Sequence, residues 1–318
     1  MELTDNQYRA FIADRLKLPK GKRSEYIAQV DILIERFERL ASEAPDIGVK
    51  TFRKTGSLWK GTILRPRAGV NPDADVAVYI DVAQTPNVVD DLHGRIRRLL
   101  IKAYPTKSGT DFTVQPRTLG IEFIASGLNV DLVPVIPTDA ENDYGYQPSS
   151  QGGPLVLTSI PGQLAFINTH KAAYKDWTGV VRLLKRWRNQ HDVPLRSFAI
   201  ELLVSYLQDT QGSPSSIEVG LSRFWLFAAR DIASTVVAFS KAQGGQGTRN
   251  YGTSPVVVVD PVNPDNNVTF RITKAEAAGI ADAAREAWEL LNEARTTASK
   301  GATLDHLRVI LGNDFDFE

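Results

Sequence analysis

Apolar residues recur at helical spacing through the first forty positions and then give way to short alternating runs. Over residues 24–43, Tyr26, Ile27, Val30, Ile32, Leu33, Ile34, Phe37 and Leu40 predict an amphipathic helix, and residues 5–16 predict a shorter one before it. From Lys50 the texture becomes β-prone: ADVAVYIDV at 74–82, DFTVQP at 111–116, LGIEFIA at 119–125 and LNVDLVPVI at 128–136, with one helix near 88–103 among them. A mixed sheet follows from these runs. YGYQPSSQGGP, residues 144–154, has no period and reads as a mobile loop. Beyond Pro161 the helical pattern returns at about 161–174, 177–191, 197–209, 217–241 and 273–297, with a last helix near 302–311. One strand pair near 255–272 interrupts them, and Gln243–Tyr251 reads as a surface loop.

The pattern predicts an α+β chain in two lobes. Residues 1–160 carry the N-terminal helices and the mixed sheet, and residues 161–318 form a mainly helical C-terminal lobe. Composition narrows what such a chain does. Lysine plus arginine and aspartate plus glutamate both total 37, so no global charge excess marks nucleic acid or acidic lipid as an obligatory partner. There is no cysteine, which excludes disulfides and cysteine-bearing zinc sites, and the four histidines are far apart in sequence. No window approaches a membrane span and the N-terminus has no apolar signal region, so a soluble cytoplasmic protein is expected.

The chemistry-bearing residues lie in the β-prone stretch. Asp73 and Asp75 open an apolar strand, and residues two apart project to one face, so both carboxylates can grip one site. Asp131 sits inside another apolar strand, where a carboxylate needs a cation, a donor set or water. Magnesium favours carboxylate oxygens together with substrate phosphates, and a two-metal site polarises an attacking hydroxyl while stabilising a pyrophosphate leaving group. The expected cofactor is therefore a pair of Mg²⁺ ions, with Mn²⁺ as a substitute. Upstream, Gly56-Ser57 precedes LWKGT, a tight turn into a short helix that can aim backbone N–H groups and the Ser57 hydroxyl at β/γ phosphates. A lone Asp-x-Asp is usually a solvated turn and a lone Gly-Ser an ordinary loop; their order and strand context make the set specific.

In that order, GSLWKGT, DADVAVYI and GLNVDLVPVIP resemble the signature of polymerase-β-like nucleotidyltransferases, in the branch containing oligoadenylate synthases, cyclic GMP-AMP synthase and bacterial CD-NTases. The resemblance runs over residues 50–270: VVRLLKRW and LRSFAIELL resemble the family's helix pair beside the triphosphate, and VVVVDPVNPDNNV its late Asp-Pro…Asn-Asn-Val element. SGLNVDLVPV, TSIP and DPVNPDNNV are most similar to clade C of the antiphage CBASS operons. This implies a polymerase-β-like core and a cyclic oligonucleotide synthase using nucleoside triphosphates, ATP among them, with an adenine-rich product such as cyclic triadenylate. It also implies a HORMA-domain regulatory protein and double-stranded DNA as partners. The spacer RPRAGVNP before Asp73 is longer than the family's usual one, which bears on acceptor contacts. Two rival readings remain open: a transferase modifying RNA, a protein or a small molecule, and a non-catalytic nucleotide- or DNA-binding module.

In the second lobe Arg182 and Lys185 are three apart on one predicted helix face and can reach one triphosphate; on the residues alone a solvated basic stripe is the better explanation, and the resemblance reverses that preference. Ser197 can cap the helix beginning SFAIELL or bind a phosphate oxygen, and Phe198 can stack on a base or join the core. Lys60 and Arg65 flank the phosphate turn, where simple exposed charge explains Arg65 better. Asp260, Asn266 and Asn267 lie in a turn-rich segment that Asx turns alone would explain. Trp177 and Trp187 are assigned to packing.

Overall fold

The computed structural model describes residues 2–67, 71–138, 143–239 and 251–317. The chain opens with α1 (Asp5–Phe11), capped by Thr4 and Gln7 in a reciprocal capping box and continued by a π-helical turn, Ile12–Leu16. It then separates into two compact units. One is Leu18–Ala165; the other joins Met1–Lys17 to Phe166–Glu318.

The first of these units begins with α2 (Lys20–Ser42), whose Tyr26, Val30, Leu33, Phe37 and Leu40 form a buried stripe at helical spacing. β1 (Gly48–Thr55) follows, then the short α3 (Gly56–Lys60), β2 (Asp73–Asp81), α4 (Leu92–Ala103), β3 (Phe112–Val114), β4 (Leu119–Phe123) and β5 (Leu128–Pro137). β6 (Tyr144–Gln147) and β7 (Val156–Ser159) form an antiparallel hairpin beyond β5. Among the described residues the strands make one mixed sheet in the order β1-β2-β5-β4-β3, with only β2 and β5 parallel on that path.

Alternation splits the sheet into two faces. Ala74, Val76, Val78 and Ile80 of β2 and Val130 and Leu132 of β5 enter the main core with α2 and α4. The intervening Ala77, Tyr79, Val133 and Val135 join Ile160 in a small second core. Burying each large side chain contributes about 1.5–3 kcal/mol, so the alternation fixes the strand faces and leaves Asp73, Asp75 and Asp131 on the second one.

The other unit is helical. α5 (Ile160–Ala173) leads into it, followed by α6 (Trp177–Gln190), α7 (Ser197–Gln211), α8 (Ile217–Arg230), the two-residue strands β8 (Val236–Val237) and β9 (Val257–Val258), α9 (Lys274–Thr296) and α10 (Lys300–Leu311). Trp177 and Trp187 are fully buried, and Trp187 meets Trp225 edge-on, so both serve packing as expected. Among the described residues no helix is long and apolar enough to cross a membrane.

Several expectations need correction. The boundary differs from the expected 1–160 and 161–318, because α1 docks on the helical unit. The Tyr8 hydroxyl donates to buried Glu218 at 2.9 Å, Arg9 grips Asp176 at 2.8 and 2.9 Å, and Phe11 stacks on Phe315 at 4.6 Å. The helix expected over 217–241 stops at Arg230, where Asp231 opens a hydrogen-bonded turn, and the chain then enters β8. The strand pair expected near 255–272 is instead β9 parallel to β8, supplemented by a single bridge between Val259 and Asn267. The stretch read as a loop from Tyr144 begins with β6. Residues 243–250 of the expected surface loop and 68–70 of the spacer lie outside the described residues.

Candidate active site

Strand register assembles the acidic site. β1 lies antiparallel to β2 with Thr55 opposite Asp75, and β5 lies parallel to β2 with Asp131 opposite Asp75. Asp73, two residues back on the same face, stands opposite Asn129, whose amide donates to its carboxylate at 3.2 Å. Because β1 ends beside Asp75, the next residue must turn over that carboxylate. Gly56 does so at φ 76°, and a Cβ there would lie 1.7 Å from Asp75 Oδ2. Only glycine fits, on grounds of both conformation and space.

The turn enters α3, which ends at Gly61 in the left-handed conformation, and the Ser57 carbonyl accepts from Thr62 and Ile63 at 2.9 and 3.0 Å. Ser57 thus sits in the first turn directly after the residue that touches Asp75. Lys60 is buried and Arg65 half-buried. On the far side, Gly120 of β4 stands opposite Asp131; a Cβ there would lie 3.0 Å from Asp131 Oδ1 and 2.4 Å from Thr113 Oγ1. Gly120 therefore makes room for the carboxylate, a role that only register reveals.

Burial pushes the Asp131 carboxyl up to about 7, and the Asp75 and Asp73 charges add to the shift. Thr118, whose buried hydroxyl makes no hydrogen bond of ordinary geometry, opposes the shift only weakly from nearby. Among the described residues no three acidic or histidine side chains stand ready-made as a metal cage. The oxygen-only donor set, with its mutual repulsion, nevertheless fits hard divalent cations, which would offset the like charges that help raise the Asp131 carboxyl.

No family model matches the chain. It is 34% identical over 319 residues to the CBASS oligonucleotide cyclase CdnC of Escherichia coli strain KTE188, covering 100% of this chain and 99% of that one. The chain belongs to the CD-NTase family. The cyclic AMP-AMP-AMP synthase of E. coli strain MS 115-1 is 32% identical over 313 residues, 96% of this chain and 95% of the relative. Among solved structures, E. coli MS115-1 CdnC with ATP superposes with TM-score 0.84 at 30% identity, covering 99% of each chain. The Vibrio cholerae DncV cyclic AMP-GMP synthase with the linear intermediate 5′ pppA(3′,5′)pG shares the fold, with TM-score 0.73 at 13% identity over 98% of this chain and 97% of that one. This CD-NTase is accordingly a nucleotidyltransferase, a cyclic oligonucleotide synthase of CBASS.

The helical unit of this CD-NTase carries the remaining residues expected to bind nucleotide. Arg182 and Lys185 both lie on α6; Lys185 is buried, and burial lowers the Arg182 guanidinium to about 10. Ser197 does not cap α7. Arg196 occupies the cap position with no side-chain bond to the first turn, and Ser197, one residue further in, accepts from Arg188 at 3.2 Å. Phe198 is half-buried.

Asp260, Asn266 and Asn267 brace their own loop. Asn266 donates to the Asp260 carboxylate at 3.3 Å, and the Asn267 amide bonds Val258, Thr269 and Val256. Asx-type bonding accounts for them in place. Sequence reasoning missed Gly120, which left no sequence signal, and the contact of Arg188 with Ser197, which joins two helices and shows only in the fold.

Proposed function

We propose that this CD-NTase is a Mg²⁺-dependent synthase that joins ATP into cyclic triadenylate, with Asp73, Asp75 and Asp131 as its metal-binding and catalytic carboxylates. The observation that carries the reading is the placement of Asp75 between the glycine turn at Gly56 and its register partner Asp131. Divalent cations bound there would supply charge neutralisation for the triphosphate and a lowered pKa for the attacking hydroxyl. Asp131, facing Asp75, is placed to assist that hydroxyl's proton. The Gly56-Ser57 turn and Lys60 take triphosphate oxygens, and Arg182, Lys185 and Ser197 supply further donors, with Phe198 against a base.

Adenine as the base is supported by the relative named as a cyclic AMP-AMP-AMP synthase and by the CdnC structure with ATP. A HORMA-domain protein as regulator is supported by the structure of the E. coli CdnC:HORMA complex. Nothing in the relatives' names supports double-stranded DNA, and the proposal does not include it.

The test is mass spectrometry of products formed from all four triphosphates with Mg²⁺, with and without the proteins encoded beside the gene. Cyclic triadenylate from the wild type and none from Asp73→Asn/Asp75→Asn is expected. A different base composition would overturn the product assignment, and equal product from the double variant would overturn the assignment of the carboxylates.

A further inference from the structure

The face of the sheet that carries the three carboxylates runs on past them. Thr113 of β3 stands opposite Gly120 of β4, which stands opposite Asp131 of β5, so all three share that face. One point above Gly120, where a side chain would begin, lies 2.4 Å from Thr113 Oγ1 and 3.0 Å from Asp131 Oδ1. The glycine therefore leaves a hydroxyl and a carboxylate side by side over bare backbone. Thr113 is exposed, and its hydroxyl makes no hydrogen bond among the described residues. Thr118, just before β4, contrasts with it: its hydroxyl is shut off from solvent and out of a ligand's reach.

β3 is a three-residue edge strand, and it needs support if it is to place a side chain precisely. The turn that joins it to β4 supplies that support. Gln115 N–H closes the turn on the Thr118 carbonyl at 2.9 Å, and Ser150 donates its N–H to the Pro116 carbonyl and its hydroxyl to the Gln115 carbonyl, both at 2.9 Å. The Arg117 guanidinium donates to the Gln147 and Pro154 carbonyls. These bonds hold Thr113 against Gly120 in the same ladder that sets Asp131. Charge and spacing then select the ligand. A carboxylate repels phosphate, so the group that settles here is neutral. A hydroxyl beside a carboxylate, both within reach of one point, complements two neighbouring hydroxyls of one ring. On a nucleotide those are the 2′ and 3′ hydroxyls of the ribose.

We propose that Thr113 is a specificity-determining residue: it holds the acceptor ribose hydroxyl that does not attack, and so decides whether the 2′ or the 3′ oxygen is linked. The inference rests on the reading of Asp131 as the group that assists the attacking hydroxyl. The chemical step is unchanged. The attacking oxygen bonds the α-phosphorus, pyrophosphate leaves with the electron pair of the broken P–O bond, and the proton passes to Asp131. With the attacking oxygen at Asp131 and its neighbour at Thr113, the sugar sits one way round. Exchanging the two oxygens would also exchange the sides on which the base and the 5′ phosphates leave the ring, so one fixed hydroxyl is enough to set the linkage.

The test compares full-length wild type, Thr113→Val and Thr113→Ser. Valine removes the hydroxyl and keeps the branched shape that strands favour, so the variant should fold, which its melting temperature checks. Products formed from ATP with Mg²⁺ and the proteins encoded beside the gene are digested with a nuclease that cuts only 3′–5′ linkages and are sorted by mass spectrometry. Thr113→Val is expected to raise the share of the linkage that wild type disfavours about three- to tenfold, the worth of one neutral hydrogen bond, with Thr113→Ser close to wild type. Binding of ATP, 2′-deoxy-ATP and 3′-deoxy-ATP is measured in parallel by calorimetry, with Ca²⁺ in place of Mg²⁺. Wild type should bind one deoxy analogue about three- to tenfold more weakly than ATP, and Thr113→Val should lose most of that gap. Unchanged linkage shares in an active Thr113→Val protein, or the same preference among the three nucleotides in both proteins, would overturn the assignment. So would a lowered melting temperature with all three nucleotides weakened alike. An inert wild type that still discriminates through Thr113 would count against the synthase reading and not against Thr113.

Discussion

The acidic face of the sheet and the basic face of the helical unit are both concentrations of like charge, but the chain builds them differently. Asp73, Asp75 and Asp131 have short side chains on paired strands, so ladder register fixes their spacing almost as tightly as it fixes the backbone. Arg182, Lys185 and Arg188 have long side chains on α6, where Lys185 is buried, Arg182 half-buried, and Arg188 hydrogen-bonded to the Leu195 carbonyl and the Ser197 hydroxyl. The acidic face can therefore hold a geometry that chemistry needs to within fractions of an ångström, whereas the basic face supplies charge that follows its ligand. Substitutions on the first should act nearly all-or-none on turnover, and those on the second should be graded and fall mainly on KM.

The largest effect is expected at the register pair. Asp75→Asn or Asp131→Asn should reduce product formation by about a thousandfold or more, since each removes a charge on which cation binding depends. Asp131→Asn should also keep or raise the melting temperature, because it deletes a carboxylate that burial and two neighbouring charges disfavour. Turnover is read as pyrophosphate release and stability by thermal denaturation. A folded Asp131→Asn protein with normal turnover would place the chemistry elsewhere.

Next come the two glycines that make space for those carboxylates. Gly56→Ala puts a methyl 1.7 Å from Asp75 Oδ2 at a positive φ, so a hundredfold loss of turnover, to within about a factor of ten, is expected together with a stability loss of about 1–3 kcal/mol. Gly120→Ala presses on Thr113 and Asp131 from the opposite strand and should lower turnover by about tenfold. Gly109→Ala, where the added methyl meets nothing within 4 Å, is the control and should match the wild type. Equal losses at all three would mean that backbone freedom, not the carboxylates' space, is what matters.

These glycines also mark what the sequence could and could not disclose. Gly56 was legible because it precedes Ser57 and a helix in a recognisable order. Gly120 was not, because its importance lies in standing across from Asp131, and register is a tertiary fact. The three carboxylates were legible because they interrupt apolar alternation. β1 was not, since GVKTFRKT carries cations on a strand whose middle is only half-buried. The helix expected to run on to 241 was misjudged because Ile232, Val236, Val237 and Phe239 continue the apolar pattern after the backbone has turned at Asp231. The basic face was half legible: Lys185 stood out by family position, while the bond from Arg188 to Ser197 exists only in the fold that brings α6 and α7 together.

A smaller effect is expected on the basic face. Ser197→Ala removes an acceptor of the Arg188 guanidinium as well as a hydroxyl offered to phosphate, and should raise the KM for ATP about three- to tenfold with kcat nearly unchanged. A fall in kcat with KM unchanged would instead align Ser197 with the acidic face and erase the contrast between the two regions.

The smallest effect concerns where the N-terminal segment belongs, since α1 docks on the unit that carries the basic face. The Arg9 hydrogen bond holds the Asp176 carboxyl below its ordinary value, so the pair's contribution is present above the unfolded pKa near 3.8 and disappears as pH falls through the lower folded one. Because the Arg9 side chain is 38% exposed and water screens the pair, that contribution is about 1 kcal/mol or less at neutral pH. Asp176→Asn should therefore melt slightly below the wild type at pH 7 and converge with it as the pH falls through the lowered folded pKa of Asp176. A constant gap across that range would show that the contact acts by shape alone, and no gap at pH 7 would show that the ion pair does not hold α1 in place.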